Sequence, residues 1–205
     1  MNIALYISGR TKLYDKWLIK QLKNTSNKID LFGSFNEDEN VEFINYIKPV
    51  SVRWEKYVLP EKWNNISIKH ESTRPYNMCS MYYNNMKAFE LIEQHSNENN
   101  IKYDLVVKFR PDIMNDNLPD LFLTEIGEVY TPKEHSFGWP DINDMIAFGD
   151  FNSMKVYSTL YNHIDEYIDK QVLFHPETML RYHLDDKGIS IKNFSYIYEL
   201  DKERF

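Results

Sequence analysis

Residues 103–112, with the sequence YDLVVKFRPD, decide how the rest of the chain is interpreted. The apolar run at 105–107 predicts a short buried strand. Pro111 has no backbone N–H for a sheet ladder, so the strand ends at or just before it. Arg110 and Asp112 therefore follow the carboxyl end of a strand, which is where open α/β sheets bind ligands. The alternative is an ordinary strand end whose charges face water.

Composition limits the class of protein. A chain of 205 residues fits one domain, 1–205, with a core that needs no staples. The single cysteine, Cys79, cannot form an internal disulfide, and the apolar run 3–7 is too short for a signal peptide, so we expect a cytoplasmic protein. The net charge of −7 disfavours nucleic acid as a partner. No apolar run approaches the ~20 residues of a membrane span.

Strand and helix patterns alternate along the first half of the chain. The expected strands are 2–7, 29–35 and 50–54, and the expected helices between them are 12–24 and 41–47. This alternation predicts an α/β fold with three α/β/α layers and a mostly parallel central sheet. In that sheet we expect 3–7 and 104–109 to be neighbouring inner strands.

The remaining segments are less regular. Residues 55–76 are interpreted as a loop with one short strand at 66–69. Helices are expected at 78–94 with Asn77 as N-cap, at 152–168, and from Pro176 through 184. A short strand is expected at 129–130, residues 145–148 form an apolar stretch, and 189–198 is interpreted as a final strand pair or a strand with a tail.

Several polar residues could hold an anionic ligand. Ser8, Gly9 and Arg10 follow the first strand, where Gly9 permits a tight turn or a close approach to a ligand and the other two could bind a phosphate or a base. Arg74 could reach an anion from the irregular loop, and Lys87 could line a pocket from its helix. This opening loop is neither a Walker loop nor a full dinucleotide fingerprint.

The order of these motifs resembles a small nucleotide-sugar glycosyltransferase of the GT-A fold, and most of all the compact chlorella-virus-type glycosyltransferase domain. Each motif is loose, and their order and spacing along nearly the whole chain support the resemblance. The residues that carry the likeness are Ser8-Gly9-Arg10, Ser80-Met81-Tyr82-Tyr83, Tyr103-Asp104, Arg110-Pro111-Asp112, residues 143–149 (NDMIAFG) and His175-Pro176-Glu177.

The resemblance implies transfer of a sugar from a nucleoside diphosphate donor, with UDP expected, to a glycan or glycoprotein acceptor. GT-A enzymes commonly hold the diphosphate through a divalent metal on an Asp-x-Asp triplet. Here Asp112 matches the second acid and Arg110 stands in place of the first. Asp112 could hold Mn²⁺ or Mg²⁺ with diphosphate oxygens and waters, or Arg110 could neutralise the diphosphate directly.

Two acids are candidates for catalysis. Asp144 or Glu177 could act as the base if the enzyme inverts, and Asp144 and Asp141 could contact sugar hydroxyls. Glu177 could instead be a charge at a helix N-terminus. His175 has three interpretations: a metal ligand, a diphosphate contact or a surface residue.

Two other classes remain open from the sequence. A nucleotidyltransferase-like enzyme would need a more basic, glycine-rich opening loop than this chain has. A non-catalytic nucleotide-sugar binding domain is favoured by Arg110 standing where an acid is expected. The abundance of Asn and Lys fits an AT-rich genome such as that of a large DNA virus, and for a viral protein the expected compartment is the host cytoplasm.

Overall fold

The computed structural model of the chain describes residues 1–9, 15–37, 47–64, 66, 74–110, 112–133 and 142–200. Over these residues the elements follow the expected alternation of strands and helices. The strands are β1 (Ile3–Gly9), β2 (Ile29–Phe35), β3 (Ser51–Trp54), β4 (Leu105–Phe109), β5 (Ile113–Met114), β6 (Glu128–Pro132), β7 (Ile146–Gly149), β8 (Ser190–Phe194) and β9 (Glu199–Leu200). The helices are α1 (Asp15–Asn24), α2 (Pro75–Asn99), α3 (Phe151–Ser158), α4 (Ile164–Asp169) and α5 (Pro176–Asp186), with 3₁₀ turns at Glu61–Trp63 and Leu160–His163.

A seven-stranded sheet in the order β3-β2-β1-β4-β7-β6-β8 forms the centre of the molecule. β1 pairs in parallel with β2 and with β4, and only β7 runs antiparallel to its neighbours. The mostly parallel sheet is therefore confirmed. So is the prediction for the inner strands, because β1 and β4 are neighbours in the register Ile3 to Leu105, and each has a further strand on its other side.

Both faces of the sheet are covered. Successive side chains of β1 point to opposite faces, so Ala4 packs in the core shared with α2, α3 and α5, whereas Leu5 packs in the core shared with Leu18 of α1. This burial on both faces explains why β1 and β4 are apolar over most of their length. It also produces the expected α/β/α layers.

Helix α2 begins earlier and ends later than expected. Arg74, rather than Asn77, is its N-cap, and Pro75 occupies the first turn, where its missing N–H costs no hydrogen bond. The helix continues through Asn99 and ends at Asn100, which adopts a left-handed conformation with φ of 51°. The predicted helix 78–94 was therefore too short at both ends.

The single helix predicted at 152–168 is wrong, because the chain breaks it at Thr159. The Thr159 hydroxyl donates to the carbonyls of Lys155 (3.0 Å) and Val156 (3.1 Å), the same carbonyls that its backbone N–H contacts. Such side-chain bonding to the preceding turn competes with helix continuation. α3 therefore ends at Ser158, a 3₁₀ turn follows, and α4 begins at Ile164.

Other expectations have mixed outcomes. The helix that begins at Pro176 is confirmed, and 189–198 becomes β8 followed by a tail that leads to β9, which pairs with β5. The predicted helix 41–47 and strand 66–69 lie almost entirely outside the described residues. Within the described ranges, no helix is both long and apolar enough to cross a bilayer.

Candidate active site

The carboxyl ends of β1 and β4 and the start of β7 meet at one edge of the sheet. β1 and β4 are parallel and pair Ile7 with Phe109, so the residues that follow each strand lie side by side. β7 is antiparallel to β4 and pairs Ile146 with Phe109, and the backbone N–H of Arg110 donates to the Met145 carbonyl at 3.1 Å. The predicted site residues found at this edge are Ser8, Gly9, Arg110, Asp112 and Asp144.

Arg110 and Asp112 form a two-point ion pair. The guanidinium Nε lies 2.9 Å from Oδ1 of Asp112, and Nη2 lies 2.6 Å from Oδ2. Asp112 is 3% exposed and the Arg110 side chain 16%. Partly buried bidentate pairs of this kind are geometrically specific and stronger than ordinary hydrogen bonds. The alternative of two charges that simply face water does not describe this strand end.

Asp144 lies in the turn that precedes β7 and is buried. Its neighbour Asn143 shapes the turn, since Oδ1 of Asn143 accepts from the Met145 N–H at 2.8 Å. The Asn143 amide in turn donates to the Tyr198 hydroxyl at 2.7 Å. The turn is therefore held both by its own side chains and by the tail that follows β8.

Glu177 lies in the first turn of α5, directly after Pro176. The Tyr82 hydroxyl of α2 donates to the Pro176 carbonyl at 2.8 Å, which ties the start of α5 to α2. Oε2 of Glu177 is buried and has no hydrogen-bond partner among the described residues. Nδ1 of His175 lies 3.2 Å from it, which is close enough for an ion pair when the imidazole is protonated.

The environment of Glu177 favours its protonated form. Burial raises the pKa of Glu177 to about 7, and the negative charge of Asp144 acts in the same direction. The positive charges of Arg110 and Lys108 act against this rise. A carboxyl group with a pKa near neutral can accept a proton at physiological pH and is suited to general-base chemistry.

Lys108 is a member of this cluster that the sequence analysis did not select. It is 1% exposed in the middle of β4, and its Nζ donates to the main-chain carbonyls of Asp144 and Met145. Burial lowers the pKa of Lys108 to about 8, while the charge of Asp144 opposes that decrease. The signal available in the sequence was a lysine within an otherwise apolar buried strand.

A neutral polar network lies beside this charged cluster, between α2 and the ends of β1 and β2. Oγ of Ser8 donates to Oδ1 of Asn85 at 2.5 Å. Oγ of Ser34 donates to Oδ1 of Asn84 at 2.9 Å, and the Asn84 amide donates to the Ser80 carbonyl at 2.9 Å. These buried hydroxyl and amide groups are thus satisfied within the protein.

The similarity of this chain to known proteins is found in their three-dimensional structures. No family model matches, and no curated protein matches. Among solved structures, an active-site mutant of LgtC matches with a TM-score of 0.52 at 13% identity, covering 94% of this chain and 73% of that one. A glycosyltransferase involved in glycosylation of the major capsid of PBCV-1 matches with a TM-score of 0.47 at 13% identity, covering 93% of this chain and 81% of that one.

The fold is of the GT-A type. The LgtC match, which has the higher TM-score, carries this assignment, and LgtC is a GT-A enzyme. At 13% identity the similarity establishes the fold and does not establish the activity, which has to be argued from the residues of the site. The resemblance found in the sequence therefore identified the architecture correctly.

The other predicted ligand-binding residues lie on α2 or at its N-cap, or outside the described residues. Arg74 is exposed at the N-cap of α2. Lys87 is ion-paired with Glu90, its Nζ lying 2.9 Å and 3.0 Å from the two carboxylate oxygens. Arg10 and Asp141 lie outside the described residues, so their roles remain predictions.

The oxygens of Asp112 are the atoms that would bind the divalent metal found in many GT-A enzymes. Both carboxylate oxygens of Asp112 accept hydrogen bonds from Arg110. Within the described ranges, no group of three His, Cys, Asp or Glu side chains could hold a metal ion. Mn²⁺ and Mg²⁺ prefer several oxygen ligands, some of which diphosphate oxygens and waters can supply beside one carboxylate, so a metal at Asp112 stays a prediction.

Proposed function

We propose that this protein transfers a sugar from a nucleoside diphosphate donor, with UDP as the nucleotide, to a hydroxyl group of a glycan acceptor. One observation carries the proposal: Glu177, whose side chain is 14% exposed and whose Oε2 is buried, lies close enough to Asp144 at the ligand-binding edge of a GT-A sheet for burial and the charge of Asp144 to raise its pKa to about 7. Paired acids whose environments differ are typical of sites that move protons.

In the proposed reaction, Glu177 is the base. Its carboxylate takes the proton of the acceptor hydroxyl as that oxygen attacks the anomeric carbon of the donor sugar. The new bond joins the acceptor oxygen to this carbon, while the bond from the carbon to the diphosphate oxygen breaks. The nucleoside diphosphate leaves with the electron pair. Asp144 contacts the sugar hydroxyls and keeps the Glu177 proton affinity high.

The leaving diphosphate needs positive charge where its own charge increases. Arg110 supplies this charge in the proposed site, because its planar guanidinium lies at the carboxyl end of β4 and suits phosphate oxygens. Asp112 holds that guanidinium in a fixed orientation through its two hydrogen bonds. Ser8 and Gly9, at the adjacent end of β1, lie where the nucleotide would approach.

The first test measures release of nucleoside diphosphate from a panel of UDP- and dTDP-hexoses, with and without oligosaccharide acceptors. We expect the wild type to release UDP faster when an acceptor is present. Glu177→Gln should lower kcat by about 10²–10⁴-fold, the usual contribution of a general base. Asp144→Asn should also lower the rate. The matched control is Glu166→Gln, which changes an exposed acid of α4 that pairs with Lys170.

The same assay separates the other two classes. A binding domain without activity would show a thermal shift with a nucleotide sugar but no UDP release by the wild type. A nucleotidyltransferase-like enzyme would use a nucleoside triphosphate and release pyrophosphate. Either result would contradict the proposal, as would equal rates for the wild type and Glu177→Gln.

A further inference from the structure

Among the described residues, Lys108 is a buried charged side chain that has no role in the proposed reaction. All five residues of β4 are buried, and Lys108 is only 1% exposed. Lysine is almost never fully buried unless its charge is compensated, because removing an ammonium group from water is costly. Its position therefore needs an explanation beyond the strand pattern.

The ammonium group of Lys108 reaches the backbone of the turn that carries Asp144. Its Nζ donates to the Asp144 carbonyl and, at 3.2 Å, to the Met145 carbonyl. The side chain thus crosses from β4 to the beginning of β7, next to the register pair Lys108 and Ala147. One charged group fixes two successive carbonyls of the turn.

The charges around Lys108 are those of the candidate active site. Asp144, Asp112 and Glu177 attract its positive charge, and Arg110 repels it. Among the described residues, none of these carboxylates is within salt-bridge distance of the Lys108 Nζ. The ion pairs at this edge join Arg110 to Asp112 and His175 to Glu177. Lys108 therefore acts on the acids through the backbone and through its field.

We propose that Lys108 is a positioning residue of the transfer site, which fixes the Asp144 turn and offsets the negative charge of the Asp144 and Glu177 pair without contacting the substrate. The inference rests on the proposed function. Full burial excludes a direct contact with the donor, and the two carbonyl hydrogen bonds define what the ammonium holds. The competing interpretation is a purely structural lysine whose charge does not influence the acids.

The groups that face Glu177 come from several elements. They are Asp144 before β7, Lys108 in β4, Arg110 after β4, His175 before α5, Tyr82 in α2 and Tyr157 in α3. Lys108 and Arg110 both lower the pKa of Glu177, whereas Asp144 raises it. Removing the Lys108 charge therefore leaves only one of these two cations to oppose the effect of Asp144. The Glu177 carboxylate should then hold its proton to higher pH.

The test compares Lys108→Met, which removes the charge and the donors, with Lys108→Gln, which removes the charge but keeps an N–H donor on a side chain one methylene shorter. The matched control is Lys155→Met, a surface lysine that pairs with Glu93 at 2.6 Å. For Lys108→Met we expect kcat to fall by about 100-fold, as a small misplacement of catalytic groups can cause. The KM for the UDP-sugar should change by less than about threefold, since the contacts that bind the donor equally in the ground state and the transition state are kept.

The pH dependence of kcat distinguishes a positioning lysine from a purely structural one, because a structural role would not shift it. The acidic limb of the kcat profile should shift upward by about one pH unit in both Lys108 variants, the usual size of the effect of a nearby charge. An unshifted limb in Lys108→Gln would overturn the proposal, and so would a raised KM with an unchanged kcat. If Lys108→Met does not fold, Lys108→Gln alone decides.

A second measurement does not depend on activity. Carboxyl NMR of ¹³C-labelled protein would follow the titration of Glu177 in the wild type and in Lys108→Gln. An increase in the Glu177 pKa supports the inference even if no donor sugar is found. An unchanged pKa refutes it while leaving the proposed function intact.

Discussion

Two neighbouring regions at the carboxyl edge of the sheet are built from opposite kinds of polar groups. The network around Asn84 and Asn85 is neutral, and its buried hydroxyls and amides bond to one another. The cluster around Glu177 is charged, and the buried Oε2 of Glu177 has no hydrogen-bond partner among the described residues. A satisfied neutral network stabilises one geometry, whereas an ionisable group with a buried, unsatisfied oxygen costs stability when it becomes charged and is typical of sites where chemistry needs it.

The largest effect is expected in the charged cluster. Arg110→Ala should weaken UDP binding by roughly 10–100-fold, since a hydrogen bond to a charged group contributes about 1.5–3 kcal/mol. Isothermal titration of UDP with EDTA and with Mn²⁺ would measure this loss. Because both carboxylate oxygens of Asp112 already accept hydrogen bonds from Arg110, we expect wild-type affinity to be the same in both conditions. If EDTA strongly lowers the UDP affinity of the wild type and has no such effect on Asp112→Asn, Asp112 holds a metal.

A loss of stability is expected next, in the neutral network. Asn84→Ala leaves the Ser34 hydroxyl without its acceptor, and an unsatisfied buried polar group costs about 1–3 kcal/mol of the free energy of unfolding. Urea unfolding would measure the change. Asn99→Ala is the matched control, because that amide lies exposed on the same helix, where it donates to the His95 carbonyl. If the two variants lose equal stability, the buried network has no special role.

A pH-dependent gain of stability is expected from the charged cluster. The pKa of Glu177 is higher in the folded protein, about 7, than its ordinary value of 4.5. Its contribution to stability is therefore complete below about pH 4.5 and is lost as the pH rises through 7. At pH 8, Glu177→Gln should be more stable than the wild type by about 1–2 kcal/mol, after allowance for solvent near the carboxylate.

Chemical unfolding at pH 8 and at pH 4.5 would check this expectation. The difference between the variant and the wild type should shrink at the lower pH, where both carry a neutral side chain. A difference that does not depend on pH would show that Glu177 titrates normally. The cluster around Glu177 would then not differ from the neutral network in its effect on stability.

The smallest effect is expected at Lys87, which lies on α2 but pairs with Glu90. Surface ion pairs contribute about 0–1 kcal/mol, so Lys87→Met should change the free energy of unfolding by less than about 1 kcal/mol and should leave UDP affinity unchanged. Calorimetric titration with UDP would test it. A clear loss of affinity would return Lys87 to the binding site predicted from the sequence.

The sequence alone determined the architecture because strands such as β1 and β4 carry their own local signal. Apolar runs bounded by Gly9 or Pro111, separated by helical periodicity, allow few arrangements other than a parallel sheet. The same local logic placed Arg110 and Asp112 beyond the end of β4. It failed at Thr159, where a side-chain hydrogen bond to the preceding turn ended a helix that periodicity alone would continue.

Only the tertiary structure decided which groups act on one another. Asp144 and Glu177 are separated by 33 positions in the chain, and their electrostatic coupling depends on α5 being tied to α2 through Tyr82 and Pro176. Packing of the elements also decides that Arg110 pairs with Asp112. It likewise brings the Lys108 Nζ to the carbonyls of Asp144 and Met145. Local patterns report the face a residue occupies, but charge interactions depend on distance and burial, which only the packed chain defines.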